Sequence, residues 1–267
     1  MDLKRILTSI IGLPVVILTF SFGNKYIIGG VIFIASIICM FEYFEAIKKV
    51  CKPIEWVGYL SNICIICAAF FSAQSLMPII IYSIPFIVLV LFLHIILTEM
   101  KYTFKDVAYT LAGIFYIPFF LMFLEFIRCM NNGKFLIGYT LVISWSTDVF
   151  AYLIGKYFGK HKLSQISPKK SVEGAIAGVI GAIVISLIYT LIIKNKLHIE
   201  YSYLKIVIIS LLLSIVSQIG DFVASSIKRF ADTKDYGNLL PGHGGLLDRI
   251  DSLLFLAPFA YLIFLFI

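Results

Sequence analysis

Hydrophobic residues run along this chain in long blocks that short polar loops separate. Nine blocks can be drawn, at 6–22, 26–47, 54–73, 76–97, 107–127, 135–154, 172–193, 204–227 and 253–267. A helix needs about 20 apolar residues to cross a bilayer, and a helix also bonds all of its own backbone groups. We therefore predict an all-α integral membrane protein, a polytopic bundle of about nine transmembrane helices. The last block has 15 residues, so its first turns are expected within 246–252.

Composition supports a membrane protein. The 267 residues are 61% hydrophobic and 14% charged, whereas a soluble domain is about half apolar and about a quarter charged. Alternating segments of about ten residues, which would indicate a β-barrel, do not occur in the sequence. The net charge of +7 suits anionic lipids and anionic substrates. With no soluble basic face to carry that charge, we expect no nucleic-acid partner.

Charge in the loops predicts the orientation. With the N-terminus in the cytoplasm, 16 of the 22 Lys and Arg residues fall on the inner side, where membrane proteins concentrate them. The six on the outer side are Lys25, Arg128, Lys134, Lys194, Lys196 and Lys205. The C-terminus is then outside, and the polar loops 155–171 and 228–252 both face the cytoplasm. We divide the chain into N-terminal scaffold helices, 1–130, which could form a dimer contact, and a C-terminal catalytic region, 131–267.

Acidic and basic residues are interleaved between 221 and 252, beside membrane segments. A carboxylate at the depth of Asp221 costs about 2.5–3.5 kcal/mol unless it is paired or bound to metal. Ser225 and Lys228 follow on the same helical face. One explanation is an internal Asp–Lys ion pair; the other, which we favour, is a metal site.

A second acidic group follows a glycine-rich stretch, 241–245. Glycines allow backbone N–H groups to approach an anion closely, although a plain turn would also explain them. Asp248 and Asp251 are spaced i, i+3, so both carboxylates can face one site. Asp221 and Asp248 together would form a Mg²⁺ site with room for phosphate oxygens, and Asp251 is a further candidate ligand.

Polar residues elsewhere have weaker explanations. Asp148 lies within segment 135–154 and would serve as a proton relay, a packing device or, as we favour, the wall of a polar cavity. Glu42 and Glu45 are expected to pair with Lys48 and Lys49 at the membrane edge.

The loop 155–171 is rich in lysine, which is typical of cytoplasmic anchoring. Its residues Ser167, Lys169 and Lys170 also suit a phosphate group, and Ser171 is a candidate N-cap for the next helix. Gly174, Gly178 and Ala182 form a small-residue stripe that is typical of helix packing.

Residues 225–251 resemble the signature of the phosphatidate cytidylyltransferases, also called CDP-diacylglycerol synthases. The matching residues are Ser225, Ile227, Lys228, Arg229, Lys234, Asp235, Gly237, Leu240, His243, Gly244, Gly245, Asp248, Arg249, Ile250 and Asp251. Asp148-x-x-Ala-Tyr152, Gly155-Lys-x-x-Gly159 and Ser167-Pro-Lys-Lys-Ser-x-Glu-Gly174 resemble further family segments in the same order. Many members have Glu before the signature Ser, where this chain has Ala224, so no role of that Glu carries over.

The resemblance implies condensation of CTP with phosphatidic acid to CDP-diacylglycerol and pyrophosphate. It also implies a Mg²⁺ requirement, with a second, monovalent cation left open, and a homodimer in the plasma (inner) membrane. Metal ligands would be Asp221 and Asp248, with Lys228, Arg229 and Arg249 acting on the phosphates. Substrate contacts are expected at the residues Ser225, Lys234, Asp235, His243, Gly244, Gly245, Asp148, Ser167, Lys169 and Lys170.

Two other classes of protein remain open at this point. A cation- or proton-coupled transporter would explain Asp148 and Asp221, but not the basic, glycine-rich loop. A CTP-dependent polyisoprenol kinase is chemically closer and would release CDP instead of pyrophosphate. The D-x2-D-G-x2-A-R helix of the CDP-alcohol phosphotransferases does not occur in the sequence.

Overall fold

A computed structural model describes residues 19, 23–71, 76–197, 202–239, 242 and 244–266, without the side chains of 76–77 and 194–197. The predicted helix at 6–22 and the candidate residue His243 lie outside this set. The helices are α1 (Lys25–Ile47), α2 (Glu55–Phe71), α3 (Leu76–Leu97), α4 (Phe104–Ile114), α5 (Phe120–Cys129), α6 (Gly133–Phe158), α7 (Val172–Leu197), α8 (Tyr203–Phe230) and α9 (Leu247–Phe264). A π-helical turn, Phe115–Phe119, joins α4 to α5. No β-strand occurs among the described residues, so the all-helical class is confirmed.

Six helical stretches in the described part of the chain are long and apolar enough to cross a membrane. They are Lys25–Ile47, Pro78–Leu97, Phe104–Cys129, Gly133–Phe158, Val172–Ile193 and Tyr203–Phe230. Each corresponds to one of the predicted segments. Helix α2 is apolar but has only 17 residues, and α9 begins at Leu247, within the stretch where its first turns were expected. The helical membrane class is therefore confirmed, whereas the number of nine spans is not.

The chain clusters into two compact units. Unit 1 contains Met1–Cys129 together with Phe230–Ile250, and unit 2 contains Met130–Arg229 together with Asp251–Ile267. The loop between α8 and α9 therefore packs with the N-terminal helices. Each unit is described below by itself.

Helices α1, α2 and α4 of unit 1 are joined by buried polar contacts. The Ser36 hydroxyl donates to Asn62 Oδ1 over 2.9 Å, linking α1 to α2. Thr103 and Asp106 form a capping box at the start of α4, and Asp106 also accepts the Lys52 N–H over 2.7 Å. The contacts of Thr103 and Asp106 satisfy backbone N–H groups that would otherwise be left unpaired at the start of α4 and in the loop before α2.

The predicted segment 107–127 is one continuous helical span with an irregular centre. Pro118 lies inside the π-helical turn. A proline has no N–H to donate to the preceding turn, so the regular α-helical bond is lost there and one turn widens.

In unit 2, helices α6 and α7 approach each other through small residues. A Cβ built on Gly174 would lie 2.6 Å from the Ala151 carbonyl oxygen, and one on Gly178 would lie 2.9 Å from the Thr147 carbonyl oxygen. The stripe predicted from Gly174 and Gly178 is therefore confirmed as helix packing. Helix α8 joins the pair through a buried contact between the hydroxyls of Thr147 and Ser214, 2.8 Å apart.

Candidate active site

Two carboxylates of unit 2, Asp148 and Asp221, act electrostatically on a third, Asp251, and we call these three residues the acidic cluster. Asp251 begins the second turn of α9 and is 8% exposed. Burial raises the pKa of its carboxyl group, the nearby charges of Asp221 and Asp148 raise that pKa further, and Lys228 lowers it. The Ser252 hydroxyl donates to Asp148 Oδ2 over 3.3 Å, which ties α9 to α6.

The cluster forms because α8 and α9 approach closely at Gly220. A Cβ built there would lie 2.7 Å from Phe255 Cβ and 3.2 Å from the Asp251 carbonyl oxygen. A residue without a side chain at position 220 therefore lets the next residue, Asp221, interact with Asp251.

Basic residues accompany the acidic cluster. Lys170 forms an ion pair with Asp221, and both side chains are about one-third exposed or less, at 27% and 30%. The Lys170 ammonium also lies 4.0 Å from the centre of the Phe222 ring, where a cation is attracted to the aromatic face. An internal Asp–Lys pair was one of the two explanations for Asp221, and the structure forms one with Lys170.

The lysine-rich loop that carries Lys170 is held in shape by its own hydrogen bonds. Leu163 N–H donates to the Lys170 carbonyl, and Val172 N–H donates to the His161 carbonyl, each over 2.9 Å. Glu173 at the start of α7 accepts from His161 Nδ1 over 2.6 Å, a contact that sequence reasoning missed. Ser171 Oγ accepts the Gly174 N–H over 3.1 Å, as expected of an N-cap. Among the predicted phosphate contacts, Ser167 is half-buried and Lys169 is exposed.

In unit 1, Asp248 organises the loop that precedes it. Its Oδ2 accepts the N–H of Tyr236 over 2.8 Å and the N–H of Gly245 over 3.0 Å. Gly244 has a φ of +83°, a left-handed conformation that favours glycine. Lys234, Asp235 and Arg249 of the same unit are exposed.

Sequence reasoning gave a wrong partner to Glu42. Glu45 does pair with Lys48, as expected, and Lys48 also lies 3.0 Å from Glu55. Glu42 instead is 3% exposed and accepts the backbone N–H groups of Leu246 and Leu247. The reason is helix geometry: a buried face of α1 turns position 42 inward, whereas position 45 faces outward. The sequence signal available was an acidic residue surrounded by apolar residues, which indicates a carboxylate that needs a hydrogen-bond partner inside the protein.

The acidic cluster has the chemistry of a divalent-cation site. Carboxylate oxygens are the ligands that Mg²⁺ takes in proteins, and a cation would offset the repulsion acting on Asp251. The described residues include no group of three or more His, Cys, Asp or Glu already set around a common point. Mg²⁺ in proteins is usually bound through one or two carboxylates, with water and substrate phosphate oxygens completing its coordination. The predicted pairing of Asp221 with Asp248 joins residues of different units and stays a prediction.

The remaining candidates are on α8. Ser225 and Lys228 are half-buried and Arg229 is exposed, and all three follow Asp221 within about two turns. Ala224, at the position where the resemblance leads one to expect Glu, is fully buried. A carboxylate at this position would be enclosed among other side chains, which is costly without a partner.

Comparison with known proteins places these residues in context. A family model described as "Cytidylyltransferase family" matches residues 3–267. The chain is 45% identical over 178 residues to a phosphatidate cytidylyltransferase of Bacillus subtilis, covering 66% of this chain and 65% of that protein. It is 35% identical over 170 residues to one of Staphylococcus haemolyticus, covering 63% of each chain. It is 37% identical over 166 residues to one of Staphylococcus aureus, covering 62% of each.

The matched residues thus span slightly less than two thirds of each of these relatives. The family model, in contrast, extends over nearly all of the chain and includes the acidic cluster and the loop that Asp248 organises. The chain therefore belongs to the cytidylyltransferase family.

Proposed function

We propose that this protein condenses CTP with phosphatidic acid to CDP-diacylglycerol and pyrophosphate. The observation that carries the proposal is the pairing of Lys170 with Asp221 beside Asp251. It combines carboxylates that suit a metal with cations that suit phosphate. The names of the relatives, phosphatidate cytidylyltransferase in each case, support the same reaction.

In the proposed reaction a phosphate oxygen of phosphatidate attacks the α-phosphorus of CTP. A new P–O bond forms there, the bond from the α-phosphorus to the bridging oxygen breaks, and pyrophosphate leaves with that electron pair. No side chain has to remove a proton, since phosphatidate is already an oxyanion near pH 7. The task of the protein is to hold two anions together in line for attack.

Each group of residues has a proposed part. Mg²⁺ would be held by Asp221 and Asp248 with Asp251, and it would neutralise charge on the phosphates. Lys170 and Lys228 of unit 2 would bind phosphate oxygens. The remaining proposed phosphate and substrate contacts are Arg229, Arg249, Lys234, Asp235, His243, Gly244, Gly245, Ser225, Ser167, Lys169 and Asp148.

The ion pair of Lys170 with Asp221 suits this division of work. In the absence of substrate, each group neutralises the other at the edge of the membrane, where an unpaired charge is costly. An incoming phosphate and its cation would replace the ion pair with two new contacts. The phosphate would bind the Lys170 ammonium, and the cation would bind the Asp221 carboxylate.

We further propose nine membrane spans with the N-terminus and the loops 155–171 and 228–252 in the cytoplasm, the C-terminus outside, and a homodimer in the plasma (inner) membrane. The excess of Lys and Arg in those loops supports the orientation. Reporter fusions after residues 25, 131 and 267 would test it, since each should report the outer side.

The function is tested with purified protein, phosphatidate vesicles, Mg²⁺ and CTP labelled at either the α- or the γ-phosphate. The expected result is that the α-label becomes lipid-soluble while pyrophosphate appears in equal amount, and that EDTA abolishes both. Lipid-soluble γ-label with release of CDP would show a kinase and refute the proposal. Absence of either product in folded protein, with ion flux across the vesicle, would indicate a transporter.

A further inference from the structure

Glu42 is a buried carboxylate whose two oxygens both accept hydrogen bonds from the start of α9. Oε1 accepts the Leu246 N–H over 2.9 Å, and Oε2 accepts the Leu247 N–H over 2.7 Å. The first N–H groups of a helix have no partner within the helix, and an anion there is stabilised by the helix dipole. Glu42 of α1 thus caps the first turn of α9, the part of α9 that belongs to unit 1.

Two signature glycines close around this carboxylate. A Cβ on Gly245 would lie 2.5 Å from Glu42 Oε2, and a Cβ on Gly237 would lie 2.8 Å from Oε1. Any side chain at either position would displace Glu42 or the loop. Gly237 and Gly245 both have a negative or extended φ, so the close approach of the carboxylate, and not the backbone conformation, explains the need for glycine.

The contacts of Glu42 continue to Asp248. The residue between the two, Gly245, touches Glu42 and donates its N–H to Asp248 Oδ2. The same oxygen accepts the Tyr236 N–H from the beginning of the loop. Both carboxylates therefore contact the beginning and the end of the loop, and Gly245 lies against one and donates to the other. Displacement of Glu42 is expected to shift Gly245 and, with it, Asp248.

We infer that Glu42 is a positioning residue for the reaction, one that sets the direction of Asp248 and holds the described loop residues 236–237 and 245–247 in place. The inference rests on the proposed function for its effect on turnover. It gives Gly245 a packing role against Glu42, in addition to the substrate contact proposed above. Glu42 itself contacts backbone N–H groups and needs no contact with substrate to act.

The first test compares Glu42→Gln with Glu45→Gln. Gln keeps the size of the side chain but turns one of its two acceptors into a donor, facing an N–H group. We expect a decrease of about 10- to 100-fold in kcat, as for other groups that orient metal ligands, and a rise in the Mg²⁺ concentration for half-maximal rate. Glu45→Gln removes an exposed carboxylate and its ion pair with Lys48. Glu45 has no hydrogen bond or ion pair with the described residues of the loop that Asp248 organises, so this variant should leave both quantities unchanged. A protein that had merely lost folded material would show a lower kcat at an unchanged Mg²⁺ requirement.

The second test uses the close contact between the Glu42 carboxylate and Gly245. Gly245→Ala should lower kcat, and combining it with Glu42→Asp, which withdraws the carboxylate by one methylene, should restore activity several-fold above Gly245→Ala alone. If Gly245 serves phosphate alone, shortening Glu42 will restore no activity, and the inference is wrong. This comparison remains decisive if Glu42→Gln folds poorly.

The third test needs no activity and separates this inference from the proposed function. Trypsin cleavage after the exposed Lys234 reports the order of the loop in full-length protein without CTP or Mg²⁺. Glu42→Gln should speed this cleavage several-fold, with Glu45→Gln matching the unaltered protein. Equal cleavage rates in all three proteins would overturn the inference even if the proposed reaction were demonstrated. If the unaltered protein shows no cytidylyltransferase activity but Glu42→Gln is still cleaved faster, the role of Glu42 in ordering the loop stands and only the proposed reaction is refuted.

Discussion

Gly220→Ala should increase the spacing between Asp221 and Asp251 without removing any charged side chain. The added Cβ would lie 2.7 Å from Phe255 Cβ, whereas carbon atoms in contact are about 3.5–4.0 Å apart. Helices α8 and α9 must therefore move apart by roughly 1 Å. The atoms that the new Cβ would meet are the Phe255 Cβ and backbone carbonyl oxygens. A change of side-chain rotamer moves neither kind of atom, so the helices themselves must shift.

Two magnitudes follow from that displacement. Overpacking of this kind costs about 1–3 kcal/mol, partly offset by the ~1 kcal/mol that Ala gains over Gly in a helix. The protein should therefore still fold. A displacement of about 1 Å at a reaction centre can cost about 100-fold in rate, and we expect a decrease in kcat of that order.

The assay is turnover of α-labelled CTP at saturating substrate, with the folded fraction measured by thermal unfolding. Gly30→Ala is the matched control, because a Cβ at Gly30 would meet no atom within 4 Å. That variant should keep full activity and gain about 0.5–1 kcal/mol of stability. Full activity in Gly220→Ala at an unchanged Mg²⁺ requirement would show that the spacing of Asp221 and Asp251 is unimportant, and would refute the reasoning.

Three further predictions follow from single contacts. Lys170→Met should lower kcat by about 10- to 100-fold, because Asp221 loses its ion-pair partner and the phosphate a cation; Lys49→Met, which removes an exposed lysine from another loop, should leave turnover unchanged, and equal rates would contradict the role of Lys170. Asp248→Asn keeps an oxygen for the loop N–H groups but removes the charge, so the protein should insert normally while turnover falls on the order of 100- to 1,000-fold; near-normal turnover would exclude Asp248 as a metal ligand. Gly174→Ala would place a Cβ 2.6 Å from a backbone carbonyl of α6 and should destabilise the protein by about 1–3 kcal/mol, visible as a lower Tm; an unchanged Tm would show that the helices part without cost.

Helix positions could be read from the sequence because hydropathy acts locally. Each predicted block within the described residues is a helix, and α3 begins and ends at the predicted residues, Leu76 and Leu97. The bilayer requires an unbroken apolar run, so the signal lies in consecutive residues. The widened turn at Pro118 had a visible cause, but its form depends on neighbouring contacts.

Partners of the charged residues could be predicted only when they lay close in the sequence. Lys48 and Glu45 are three apart, and their pairing was correctly expected. Asp221 pairs with Lys170 and Glu42 with Leu246, contacts that depend on how helices pack. Periodicity placed Lys228 on the face of Asp221, but it could not reveal the ion pair of Asp221 with Lys170, which comes from a loop 51 residues earlier in the sequence. The type of site was readable from composition, whereas the pairing required the fold.

The capping of α9 by Glu42 also has a consequence for biosynthesis. The carboxylate and its first partner are 204 residues apart, and a ribosome adds about 5–20 residues per second. Glu42 therefore enters the membrane about 10 to 40 s before the N–H groups that will bind it exist. During that interval its charge must be met by water, by a proton or by another chain. Helix α1 is thus among the first to be synthesised, whereas the hydrogen bonds of its Glu42 are among the last that can form.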